Sequence, residues 1–232
     1  MRSKNISKIE EIRFNKIKIN QKFCKEHKID PSYLKNKIHK TLSHHSNSNL
    51  FAQAYSGHQF GYFTNLGDGR AMIFSEYINK NNERFDIQLK GAGKTPYSRG
   101  GDGKATLKSI LREYLIGEAM INLNIPSSRG VAIIKSGEKI QRNNSEQGGI
   151  LVRSMKSHIR VGTFEYASYF GSINDLKTIT SYTISRLFPK VNISKNPAIY
   201  LLKQVMIEQI NLVVNWMRVG FIHGVMNTDN TS

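Results

Sequence analysis

RFDIQLKGAGKTPYSRGGDGKATLKSILREYLIGEAMIN (84–122) changes its periodicity twice. Residues 84–90 alternate, with Phe85, Ile87 and Leu89 on one face and Asp86, Gln88 and Lys90 on the other, the two-residue period of a strand. GAGKTPYSRGGDGK (91–104) has no apolar period and carries glycine at 91, 93, 100, 101 and 103. From about Ala105 to Asn122 the pattern is that of a helix, stopped by Pro126. On the N-terminal side, AMIFSEYI (71–78) reads as a second strand and NKNNE (79–83) as the turn of a β-hairpin. On the C-terminal side, VAIIK (131–135) and GILVRS (149–154) read as two more strands around a polar loop. Helices are expected over roughly 172–187 and 197–218. The last carries Ile199, Leu202, Met206, Ile210, Val213 and Met217 at spacings of three and four, a stripe that reads as core. A β-rich, glycine-punctuated part thus precedes a helical part, and the expected class is α+β.

Composition narrows the function classes. The chain has 232 residues, one cysteine (Cys24) and a formal net charge of +17. A single cysteine excludes an internal disulfide framework and suits a reducing compartment. No apolar run approaches the ~18 residues of a membrane span, and the basic N-terminus lacks the apolar stretch of a secretory signal. Residues 1–50 hold 12 Lys and Arg against four acids and read as a basic helical and loop extension without a chemical motif. His44 and His45, in SHHSNSN, read as loop residues rather than metal ligands. The charge is a solvated basic surface, or it suits a polyanion such as nucleic acid.

Lys90 ends a strand on its polar face, just before Gly91. Glu113 lies in the helix, with Ile110, Ile116 and Gly117 at i−3, i+3 and i+4, so its carboxylate is expected to be partly buried and to need a cation. A strand lysine facing a glutamate on the next helix is how protein kinases hold ATP phosphates. From these two residues alone, a surface ion pair is the simpler reading. LGDGR (66–70) and GGDGK (100–104) each offer a tight turn followed by a cation, which suits a phosphate cradle or a purely structural turn. GAGKT (91–95) is not a Walker A motif, because Gln88 stands where that motif needs its first glycine. Arg153 and Arg160 can clamp a phosphate from one connection. In GFIHGVMNTDN (220–230), Val225 occupies the position of a kinase's catalytic aspartate, and Asp229 and Asn230 stand together further on.

YSGHQFG (55–61), LGDGRA (66–71), LKGAGKTPYSRGGDGKA (89–105), LREYLIGEAM (111–120), LVRSMKSHIRVGTFE (151–165) and HGVMNTDN (223–230) together resemble the selenoprotein O (SelO/YdiU) family over about residues 51–232. The resemblance implies a protein-kinase-like fold that binds ATP in a flipped orientation and transfers AMP to Ser, Thr or Tyr hydroxyls of acceptor proteins. It implies a nucleotide-binding lobe over 51–160 and a partial helical lobe over 161–232, cut short after the catalytic loop. Carried over by motif, Gly67, Gly69, Arg70, Asp102, Gly103, Arg153 and Arg160 would line the nucleotide site. Lys90 would hold phosphates, Glu113 would orient it, Asp229 would be the base, and Asn230 would bind Mg²⁺ or Mn²⁺. Thr231 stands where the family has methionine, and the family's second metal-binding aspartate would fall beyond Ser232. The alternatives are a remnant that binds ATP without turnover, completed or not by a C-terminal fragment, and a basic nucleic-acid-binding module. No membrane partner and no specific nucleic acid are expected. The expected location is the cytoplasm, or the mitochondrion in a eukaryote.

Overall fold

The computed structural model describes residues 4–5, 16–43, 50–59, 61–189 and 196–232. His44 and His45 lie outside them. The described elements are β1 (Lys4–Asn5), β2 (Lys16–Ile19), α1 (Gln21–His27), α2 (Pro31–Ser43), β3 (Phe51–Ala52), β4 (Ser56–Gln59), β5 (Tyr62–Asn65), β6 (Ala71–Ile78), β7 (Arg84–Lys90), β8 (Ala105–Thr106), α3 (Leu107–Asn122), β9 (Arg129–Gln141), β10 (Ser145–Met155), α4 (Val161–Phe170), α5 (Ile173–Leu187) and α6 (Pro197–Arg218). A single 3₁₀ turn follows at Thr228–Asn230. The class is α+β, as the sequence pattern predicts.

One sheet runs in the order β1-β3-β6-β7-β10-β9-β2, with β8 paired to β10, and every described pairing is antiparallel. The pleat sends alternate residues to opposite faces. Ile87 and Leu89 of β7, with Ile150 and Val152 of β10, join the main core beneath α1 and α2, where Phe23, Leu34, Ile38 and Leu42 are buried. Leu151 points the other way, onto Ile110 of α3 and Ala105. The polar face of β7 is therefore not a solvent face. Gln88 is fully buried and Asp86 nearly so, both on the side opposite the main core.

Several expectations change. Residues 136–148 are largely strand rather than loop. β9 and β10 run on as a hairpin that is polar and exposed outside yet buries Ile140. The helix expected from Ala105 starts at Leu107, because residues 105–106 pair with β10 and Thr106 caps the helix by accepting from Ser109 N at 3.3 Å. A helix absent from the sequence reading, α4, opens where Arg160 N donates to Thr163 Oγ1 at 3.0 Å. Its β-branched and aromatic residues hid it, because they favour strands when read singly.

The apolar stripe of α6 is not core. Leu202 is 60 % exposed and Met217 71 %, and Ile199, Met206 and Ile210 are similarly open. Leu201 is the buried residue of α6, and Tyr200 meets Phe188, just past the end of α5, edge-on at 6.2 Å. Residues 16–43, set apart in the sequence reading as part of an extension, share the sheet and its core: β2 pairs with β9, and Asn20 Nδ2 donates to Gly130 O at 2.8 Å. No helix among the described residues is long and apolar enough to cross a membrane.

Candidate active site

The last residue of β7 and the middle of α3 meet over the polar face of the sheet. Lys90 Nζ donates to Glu113 Oε2. The other oxygen, Oε1, accepts from Arg153 Nη1 at 2.9 Å, so one carboxylate is shared by two cations. Burial pushes Glu113 up, but Arg153 and Lys90 outweigh it and hold the carboxyl below its usual range. Burial and the neighbouring Arg153 hold Lys90 below the usual lysine range, against the pull of Glu113. The result is a charged, partly desolvated pair in which both ions stay paired, the condition under which such burial is tolerated.

Gln88 extends this cluster. It lies opposite Arg153 across the β7–β10 ladder and accepts from Arg153 Nε at 2.7 Å. Its Nε2 lies 3.4 Å from Asp68 Oδ2, and Asp68 Oδ1 accepts from Arg160 Nη2 at 3.1 Å. Asp68 and Gln88 are buried. A continuous polar chain therefore runs Lys90–Glu113–Arg153–Gln88–Asp68–Arg160. The Arg160 guanidinium lies over the Tyr55 ring at 4.2 Å from its centroid. Its Nη1 is buried with no partner among the described residues.

A cleft of about 410 Å³ opens beside Lys90, lined also by Arg70, Ser109, Arg112 and Glu113. Four cationic or hydroxyl side chains around one glutamate give it a lining chemically suited to an anion. Gly67 and Gly69 lie in the turn before Arg70, and Arg70 O accepts from Gly91 N at 2.8 Å. Gly67 has φ +135°, and a Cβ there would fall 2.3 Å from the Tyr97 ring, so only glycine lets the two loops touch. Gly103 has φ +67° and packs on Gly93. Asp102 is paired outside the charged cluster. It accepts two bonds from Arg142, at 2.8 and 2.9 Å, and ties the glycine-rich loop to the β9–β10 hairpin.

Asp229 and Asn230 come from the 3₁₀ turn beyond α6. Asp229 Oδ2 accepts from Gln59 Nε2 at 3.0 Å, and Oδ1 is buried with no partner among the described residues. Asn230 is exposed, and its Nδ2 donates to Val225 O at 3.1 Å. The oxygen of that amide is thus the atom a hard cation would take. Among the described residues no three His, Cys, Asp or Glu side chains converge to enclose a metal. Mg²⁺ needs no such cage when phosphate oxygens and waters complete its shell, so Asn230 fits as one ligand of a phosphate-borne ion.

Three participants carry no site role in the sequence reading. Asp68 lies between the two glycines of LGDGR. Gln88 was one residue of an apparently solvated face. Gln59 lies in YSGHQFG, 170 positions from its partner.

A family model described as "Protein adenylyltransferase SelO" matches residues 4–232, a longer span than the motifs alone indicate. Over 181 residues the chain is 56% identical to "Protein nucleotidyltransferase YdiU" of Clostridium botulinum (strain Eklund 17B / Type B), covering 78% of this chain and 37% of that one. The protein of the same name from Pelagibacter ubique (strain HTCC1062) is 55% identical over 185 residues, 80% of this chain and 38% of the relative. That from Clostridium perfringens (strain SM101 / Type A) is 55% identical over 179 residues, 77% and 36%. The chain thus spans well under half the length of the curated relatives it matches. With that match and the ionic cluster it accompanies, the chain belongs to the SelO family of protein adenylyltransferases.

Proposed function

We propose that the chain binds ATP on a kinase-like scaffold and transfers AMP from it to hydroxyl side chains of acceptor proteins. The observation that carries this reading is the pairing of Lys90 with Glu113 and Arg153 at a cationic cleft, in a chain whose loop puts Val225 where a kinase has its base and Asp229 further on. Lys90, Arg70 and Arg112 are cations suited to the triphosphate, and Glu113 holds Lys90 extended toward it. Arg160, fixed on Tyr55 and Asp68, has a buried guanidinium nitrogen left for a further anionic oxygen.

In the transfer, an acceptor oxygen attacks the α-phosphorus and the bond from that phosphorus to the bridging oxygen breaks. The proton goes to Asp229 and pyrophosphate leaves. Mg²⁺ or Mn²⁺ bound with the nucleotide, with Asn230 as a ligand, would supply charge neutralisation on the phosphates. The cationic cluster acts in the same sense, by fixed positive charge placed where negative charge develops.

The open apolar face of α6 favours a second reading, in which the chain binds ATP but transfers AMP only when another polypeptide covers that face. One experiment addresses both. The chain is incubated with Mg²⁺, α-casein and ATP labelled at either the α- or the γ-phosphate. Label from the α-position alone should enter protein, and Lys90→Met should abolish it while weakening ATP binding at least tenfold. Binding without incorporation selects the second reading. Incorporation from the γ-position, or no ATP binding, overturns both.

A further inference from the structure

We propose that Gln59 is a positioning residue for Asp229, and that the β4–β5 hairpin exists in part to hold that carboxylate in one orientation. The proposal rests on the reading of Asp229 as the proton acceptor. β4 and β5 form their own two-stranded sheet, separate from the main one, with Gly57 opposite Thr64 and Gln59 opposite Tyr62. Strand alternation puts Gly57 and Gln59 on one face, while His58 points out to solvent. Both inward residues meet Asp229. Gln59 Nε2 donates to Oδ2 at 3.0 Å. A Cβ on Gly57 would lie 2.8 Å from both Cβ and Oδ1 of Asp229, so the backbone of β4 is the wall against which Oδ1 rests.

The same hairpin is fixed to α4, which grips the rest of the loop. Phe63 of β5 packs on Tyr169 of α4 with centroids 4.7 Å apart. Glu165 of α4 accepts from Thr228 Oγ1 at 2.7 Å, one residue before Asp229, and Val161 N donates to Thr231 O at 2.9 Å. Asp229 is therefore held through its neighbours by α4 and through its own side chain by Gln59. A terminal carboxylate torsion is soft and broad. One donor on Oδ2 and a backbone wall at Oδ1 remove that freedom, and orientation of a reacting group governs rate more than binding.

The test uses the full chain with Gln59→Met, which keeps the length but removes the donor, and Gly57→Ala, which pushes the carboxylate from the other side. ATP affinity is measured by calorimetry, and AMP transfer to α-casein is measured at saturating ATP. Each variant should lose about 10- to 100-fold in transfer rate with its ATP dissociation constant within about twofold of wild type. Gln59→Met should cost nothing further in an Asp229→Asn background, because the two act as a unit. An unchanged transfer rate, or an equal loss in affinity, overturns the proposal.

If the wild-type chain transfers no AMP, the proposed function fails for this chain and the positioning is read by NMR. The Gln59 side-chain amide resonances should move on Asp229→Ala. If they stay in place, the contact does not exist in solution and the inference falls.

Discussion

His158 is enclosed, with Nδ1 3.2 Å from Asp86 Oδ2 and Nε2 lacking a partner among the described residues. Burial holds it below the usual histidine range, although Asp86 pulls the other way. A proton added at Nε2 would make a buried donor with nothing to donate to, so the folded ring stays neutral. In the unfolded chain a histidine takes up that proton below about pH 6.5. Acidification therefore favours unfolding, by up to about 1.4 kcal/mol per pH unit for this one group. Asp86 acts in the same direction. Burial raises it, but the bonds from His158 and the charge of Arg186 outweigh this and hold it low, so its contribution is present above the usual aspartate range and lost as pH falls through the folded value. Urea unfolding at pH 7.5 and 5.5 should show the loss that belongs to His158, since Asp86 contributes only at lower pH. His158→Asn, whose amide can still donate to Asp86, should flatten the slope; an unchanged slope would place the effect elsewhere. At this scale the sequence was legible where charge marks a residue. Glu113 was marked as a helix carboxylate in need of a cation and Lys90 as a lysine at a strand end, and the family resemblance, not their types alone, paired them. Gln88, Gln59 and Asp68 were not legible. Two are neutral amides whose importance lies in what sits across the sheet or 170 positions away, and the third is a carboxylate among glycines.

For α3, rotation and depth decide whether Glu113 reaches Lys90, and an ion pair in its C-terminal half ties it to β9 and α1. Arg129 at the start of β9 donates to both oxygens of Glu118, at 2.7 and 3.1 Å, and to Glu26 of α1 at 2.7 Å. The Arg129–Glu118 pair is largely buried, while Glu26 is more open and contributes less. Removing one member of a buried pair strands the other, so Arg129→Met should cost about 3 kcal/mol of stability. It should also weaken ATP binding several-fold without touching the cleft. Chemical unfolding and calorimetry on the same samples check both; a loss of stability with ATP affinity intact would mean that α3 is held by packing alone. The strands 71–78 and 84–90 were legible to the residue, the second from its strict alternation. β9 and β10 were not, since their outer halves bury only one side of a ribbon, and α4 was masked by residues that favour strands.

Across the whole molecule, the +17 charge and the open face of α6 pull in opposite directions: the first keeps copies apart, the second brings them together. Raising salt screens the charge and leaves the apolar face unchanged, so self-association should increase with salt, seen by light scattering. Replacing Leu202 and Met206 by Glu should abolish that association and reduce binding of a hydrophobic dye, with ATP affinity unchanged. The class and the order of a β-rich part before a helical part were readable from periodicity. The exposure of α6 was not, because a periodic stripe records which residues share a face and says nothing of what lies opposite. The place of residues 16–43 in the main sheet was equally hidden, since four residues of KIKI carry too little pattern to announce a strand. That last pairing reaches beyond structure into synthesis. β2 leaves the ribosome well before its hydrogen-bonding partner β9, and Asn20 closes its bond to Gly130 across 110 positions. Until β9 has been translated, α1 and α2 have no β9 or β10 to cover and must wait with Phe23, Leu34 and Ile38 unburied on that side. The nascent chain thus passes through an interval in which these helices show apolar surface to solvent, and that interval ends only when β9 and β10 clear the exit tunnel.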